Sequence, residues 1–270
     1  MGARPPRRSL PAGAGRMDAR FFMIATYAAT YRDLWTRHWW WRSRARHVLN
    51  VIERLHERDP IAKILDIGCG DGLFFDDLAR FGDVRGIEAD AALVRDPRRI
   101  DRIETTRLGE SPLRQTGFDL VLLLDVLEHI ADDAAALRAV VEAARPNGRL
   151  IVTVPAYQTL WSLHDVANGH FRRYNAARLR SLLAGAGLKV ESLRPLFAWT
   201  VLPMLARRLL FPAPSGPHES QSGSDFEYQV AIPPEPLNSL LCGWSRFEHA
   251  LGDVVPPPFG SSLIAVARRI

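Results

Sequence analysis

The sequence predicts an α/β fold, a parallel sheet covered by helices on both faces. Three observations carry that expectation. Between residues 61 and 194, short apolar runs alternate with stretches of helical periodicity. One run, residues 118–124, is apolar at almost every position, which suits a strand buried on both sides. Another, residues 62–67, empties into a glycine-rich turn, Gly68-Cys69-Gly70-Asp71-Gly72.

Taken in order, residues 1–16 are rich in Arg and Pro and lack the apolar middle of a signal peptide, so they read as a disordered tail. Met17 is then a candidate true start. Residues 17–60 read as an N-terminal helical cap, because Val48, Val51, Ile52 and Leu55 recur at the spacing of one buried helix face. Within it, Tyr27, Tyr31, Trp35 and Trp39-Trp40-Trp41 form an aromatic cluster. Neighbours on a helix point ~100° apart, so three consecutive Trp cannot share one core. Such a cluster is either a helix buried on two sides or an aromatic lid or interfacial anchor.

The core, residues 61–194, continues with a helix over 73–81 and strands at 83–88, 102–106 and 118–124. A helix over 131–144 follows. Pro146-Asn147-Gly148 turns the chain into a strand at 150–154, and a helix over 176–185 leads to a strand at 188–193. Residues 195–261 are set apart as an apolar helical lobe, with a Pro-, Ser- and Gly-rich stretch at 212–236. Leu237, Leu240, Leu241, Trp244, Phe247 and Leu251 form a helical stripe in it, and residues 262–270 return as a final strand.

Composition narrows the function. In 270 residues, 47% are hydrophobic and 24% charged, as in globular proteins, and no apolar run approaches the ~20 residues of a spanning helix. The net charge is +5, with 12 arginines against five acids in the first sixty residues and a slight acidic excess beyond. No basic stripe follows, which argues against nucleic acid as a partner. Two cysteines, Cys69 and Cys242, fit a reducing cytoplasm and neither a disulfide framework nor a zinc pattern, so no metal is expected.

The glycine turn lets a ligand approach the backbone closely, and a helix start beyond it offers unpaired N–H groups. Leu73 stands where the third glycine of a dinucleotide fingerprint would fall, which disfavours a nicotinamide-dependent oxidoreductase. Twenty residues after Gly68, Glu88 ends the second strand, where a carboxylate can accept hydrogen bonds from both ribose hydroxyls.

The segments ILDIGCGDG, VRGIEAD, FDLVLLLDVLEHI and RPNGRLIVTVPA, in this order and spacing, resemble class I S-adenosylmethionine-dependent methyltransferases. The resemblance implies a Rossmann-like seven-stranded sheet whose last strand is antiparallel, with S-adenosylmethionine at the C-terminal strand ends. It assigns Asp66, Gly68 and Gly70 to the methionine end of the cofactor and Glu88 to the ribose. Ala89, Gly109 and Glu110 fall at the adenine, and Asp125 at the methyl region. The segment from Pro155 to Tyr174, with His38-Trp39-Trp40 and Arg42 upstream, is similar to a bacterial subgroup of that family.

Methyl transfer is an in-line displacement, so positioning supplies most of the catalysis, with a base needed only for a protonated acceptor. His164, His170 and Tyr174 are the candidate catalytic residues. Adjacency alone does not make His164-Asp165 a dyad, and His129 reads as ordering the loop beside the cofactor. The apolar stretch 195–211, edged by Arg207-Arg208, points to a small or lipid-like acceptor and a peripheral contact at the inner face of the membrane. The rival expectations are a catalytically silent S-adenosylmethionine-binding module with a partner-binding lobe, and a nucleic-acid methyltransferase. The latter is disfavoured because Asp125-Val126-Leu127-Glu128 stands where an N-P-P-Y tetrapeptide would. Oligomeric state is left open.

Overall fold

A computed structural model describes residues 25–107, 109–210 and 231–270. The tail expected at 1–16 and most of the Pro-, Ser- and Gly-rich stretch therefore lie outside the described residues. The sheet has seven strands: β1 Lys63–Ile67, β2 Asp83–Glu88, β3 Ile103–Thr105, β4 Phe118–Leu124, β5 Ala144–Pro155, β6 Leu188–Leu196 and β7 Ser262–Arg269. Their order is β3-β2-β1-β4-β5-β7-β6. The first five run parallel to one another, and β7 runs antiparallel to both β5 and β6. Strand order reverses between β1 and β4, which opens a crevice at their carboxyl ends.

Period-2 alternation explains why β1 and β4 are apolar on both faces. Leu65, Ile67, Val121 and Leu123 point to one layer, with Leu137 and Val140 of α4 (Asp133–Val141) and Leu179 and Leu183 of α6 (Ala176–Gly185). Ile64, Leu120 and Leu122 point to the other. There they meet Val48, Ile52 and Leu55 of α2 (Trp39–Arg58) and Phe75 and Leu78 of α3 (Phe75–Leu78). The N-terminal segment is thus less a cap than part of the core layer.

Several elements depart from their sequence expectation. The continuous helical pattern breaks at His38, between α1 (Ala25–Arg37) and α2. Asn238 holds that break from two hundred residues away, accepting from Trp39 N at 2.9 Å and donating to Arg37 O at 2.8 Å. The helix expected over 73–81 is a single turn, because Gly72 (φ +65°) delays its start and the chain turns at Gly82 against the Ala62 carbonyl. Pro146-Asn147-Gly148 does turn, but as an irregularity inside β5, with Asn147 at φ 62°.

The segment 195–211 is not one apolar surface. Leu196 ends β6 and Phe197 is fully buried against the core, so neither can reach a membrane. Among the described residues of that segment, large apolar side chains are exposed on α7 (Val201–Leu210), at Leu202, Leu209 and Leu210. The last helix, α8 (Leu237–Val254), packs on α2. No helix among the described residues is long and apolar enough to cross a membrane.

Candidate functional site

The crevice between β1 and β4 is walled on one side by the glycine turn. Gly68 adopts φ +70°, and a Cβ there would lie 2.8 Å from Val126 Cγ2, so a side chain is excluded twice over. Gly70, at φ +55°, faces open space as far as Tyr31. Glu88 ties the turn to β2, its Oε2 accepting from Gly70 N at 2.8 Å and its Oε1 from Asp90 N at 3.0 Å. Burial raises the Glu88 carboxyl, while the Asp90 and Gly70 N–H groups oppose that rise. Each carboxylate oxygen retains a lone pair for a ligand hydroxyl. Behind the turn, burial pushes Asp66 up to about 7 despite the nearby Arg44.

The opposite wall is the end of β4. Asp125 sits at φ 58°, a strained setting for a side-chain-bearing residue. It is held by Asp125 N donating to Thr153 O (3.0 Å), Thr153 Oγ1 donating to its carboxylate (3.0 Å), and an ion pair with Arg44. Arg44 comes from α2 and lies 5.0 Å from the Trp40 ring. Tyr31, Trp40 and Trp41 roof the cavity, which measures about 230 Å³. The three tryptophans divide the two readings of their cluster. Trp41 is buried, Trp40 faces the cavity, and Trp39 packs 5.1 Å from Trp199.

At its far end the cavity meets Glu128, His129, His164 and His170. Burial lowers His129 to about 3 and His164 to about 4. His164 and Asp165 diverge, as neighbours often do. Asp165 is fully buried and bonds His170 Nδ1 at 2.9 Å and the Arg173 guanidinium at 2.8 and 2.9 Å. Burial would raise its carboxyl, but these partners hold it well below the usual range. A second cavity of about 440 Å³ adjoins the first, and Trp40, Pro155, His164, His170 and Ser262 line both.

The cleft does not gather every residue expected there. Tyr174 is fully buried, and its hydroxyl donates to Asp133 at 2.8 Å and lies 3.2 Å from Leu127 O. Burial first, and then Asp133, raise that phenol, so Tyr174 holds α4 to the loop and stands outside the cleft. Gly109 and Glu110 are exposed and line neither cavity; Ala89 is exposed too, and its neighbour Asp90 lines the cleft instead. Asp66 lies behind the wall rather than on it.

Residues 40–193 match the family model described as a methyltransferase domain, more than half of the chain. The chain belongs to the methyltransferase-domain family. The match takes in α2, with Trp40, Trp41 and Arg44, and ends before the lobe. Among this domain's curated relatives is a protein of Mycolicibacterium smegmatis named a probable S-adenosylmethionine-dependent methyltransferase, 34% identical over 60% of this chain and 64% of its own length. A ubiquinone biosynthesis O-methyltransferase of Azorhizobium caulinodans is 36% identical over 45% of this chain and 47% of its own. The chain thus spans less than two thirds of the length of either. The fold is shared with a chain of the complex between the Haloferax volcanii Trm112 methyltransferase activator and a methyltransferase. That match has a TM-score of 0.55 and 17% identity, over 90% of this chain and 94% of the other.

Sequence reasoning missed Arg44, Val126 and Leu93 in the cleft. Arg44 had one available signal, since it lies one turn beyond Trp40 on the same helix face. Val126 and Leu93 had none, because nothing local marks a loop residue that folds back over a glycine.

Proposed function

We propose that the chain transfers a methyl group from S-adenosylmethionine to a small or lipid-like acceptor. One observation carries the reading: a glycine-floored cavity with a buried ribose-type carboxylate shares a wall with a second, larger and mostly apolar cavity. Bound in the first, S-adenosylmethionine supplies an electrophilic methyl group on a sulfonium. Glu88 would accept the ribose hydroxyls, and Gly68 and Gly70 would let the backbone close on the ligand. Arg44 would exchange part of its pairing with Asp125 for the ligand carboxylate.

The second cavity presents Trp39, Leu163, Trp199 and Met204 beside Arg173, Arg207 and Arg208. That lining suits an acceptor with an apolar body and an anionic or strongly polar head. His164 lines both cavities and is placed to accept a proton from an acceptor hydroxyl as the methyl group transfers. Leu202, Leu209 and Leu210 on α7 would carry a peripheral contact at the inner face of the membrane, next to the mouth formed by Arg207 and Arg208.

The test is transfer of labelled methyl from S-adenosylmethionine into a bacterial lysate, followed by organic–aqueous partition. Label in the organic phase that disappears with Glu88→Ala is the expected result. Label confined to the aqueous phase would remove the lipid-like acceptor, and no incorporation would remove the activity. Changing Leu202, Leu209 and Leu210 together to Ser should abolish sedimentation with anionic liposomes; an unchanged pellet would remove the membrane contact.

A further inference from the structure

Glu128 has no place in the account so far. It is fully buried, and neither carboxylate oxygen has a hydrogen-bond partner among the described residues. Leaving an ionised carboxylate in that state costs several kcal/mol, so a buried acid either holds a proton or is matched by a cation. The cations nearby are committed elsewhere: Arg44 is paired with Asp125, and Arg173 with Asp165. What faces Glu128 instead is a pair of imidazoles. His129 and His170 stand edge to face with ring centroids 4.6 Å apart, and one potential ligand atom from each of the three residues lies within 4.8 Å of the others.

We propose that Glu128, His129 and His170 form a binding site for a divalent transition-metal ion of the zinc or ferrous class, set in the lining of the first cavity. Two imidazoles and one carboxylate are the donors such ions select, with remaining positions open to a ligand. The orientation of His170 supports this independently. Its Nδ1 is taken by Asp165 at 2.9 Å, and Asp165 is locked by Arg173, so Nε2 is the nitrogen left for an ion. A carboxylate behind a ligating histidine in this way fixes its tautomer and raises its basicity. The two halves are tied together by Phe171 N donating to Glu128 O at 2.7 Å. Metal–ligand bonds of about 2.0–2.2 Å place the donors of one ion roughly 3.4 Å apart, so side-chain shifts of about an ångström close the site. The open positions would face the first cavity, which all three residues line.

No metal was expected from the sequence, because the ligands are split between the end of β4 and the loop after α5 (Leu163–Ala167), a separation no spacing rule covers. The inference rests on these side chains alone and stands whatever the methyl acceptor is. Chelator-stripped protein titrated with zinc chloride in a calorimeter should bind one equivalent. Glu128→Gln and His170→Ala should each weaken that binding at least a hundredfold, with folding checked by circular dichroism. Asp165→Asn, a change at a positioning residue, should weaken it roughly 10–100-fold while keeping the stoichiometry. The parent loaded with cobalt(II) should show visible d–d bands of a low-coordinate nitrogen–oxygen site, a readout that needs no variant to fold. A parent that binds neither ion, or a Glu128→Gln protein that binds zinc as tightly as the parent, would overturn the proposal.

Discussion

The sheet and the lobe beside it bury opposite kinds of surface. Around β1 and β4 the interior is aliphatic and aromatic, and polar side chains gather at the carboxyl ends of the strands, where the crevice is. In α8 the arrangement is inverted. Asn238, Cys242 and Ser245 face inward, Glu248 accepts from Trp199 N at 3.2 Å, and His249 meets Asn50 at 2.8 Å. Leu240, Trp244, Phe247 and Leu251 face outward. The sheet is therefore held by the hydrophobic effect, which is strong and undirected, and the lobe by directed hydrogen bonds worth about 1 kcal/mol each. A region held in this way is easier to displace, and its outward apolar face is available for contact.

The largest break in that contrast should come from the sheet. Leu122→Ala, at a fully buried position of β4, should cost about 2–5 kcal/mol in urea unfolding, as core truncations do. Next comes the crevice itself. Glu88→Ala should lose roughly 1.5–3 kcal/mol of S-adenosylmethionine affinity, the range for hydrogen bonds to a charged group; calorimetry showing parent-like binding would contradict the ribose assignment.

Asp66 sharpens the comparison through pH. Its folded pKa, about 7, lies above its ordinary value of 3.8, so the folded chain holds the proton more tightly than the unfolded one. Stability from this group is then present at low pH and is lost as pH rises towards 7. Between pH 5 and 7 the parent should lose about 2 kcal/mol more than Asp66→Asn, at 1.36 kcal/mol per unit. Parallel urea curves for the two proteins across that range would show Asp66 to be ionised throughout. The smallest effect belongs to the lobe. Leu240→Ser, on the outward face of α8, should change stability by no more than about 0.5 kcal/mol. A loss as large as that of Leu122→Ala would show that the apolar face is covered.

Much of this molecule was legible in the chain because local chemistry dictates it. The apolar runs at β1 and β4 had to be buried on both sides, and a turn with glycines at 68 and 70 had to admit close backbone approach. Glu88, at the end of the next strand, could be placed beside that turn from connectivity alone. The adenine-side residues Gly109 and Glu110 lie outside the cavity lining, and the candidate base Tyr174 points away from it. Their position along the chain was informative, but the direction of a loop side chain is set by what packs around it.

The stripe of α8 left its direction open, since periodicity reports that a helix is two-faced without saying which face turns inward. What the sequence by itself determined is the sheet, the glycine cradle and the family of chemistry, all of which follow from residues close together or in one repeating order. Only the tertiary structure decided the helix break that Asn238 grips at His38, the Arg44–Asp125 pair, and the meeting of Glu128 and His129 with His170. Each of these joins groups far apart in sequence through directed contacts, and such contacts leave no period in the chain for the eye to find.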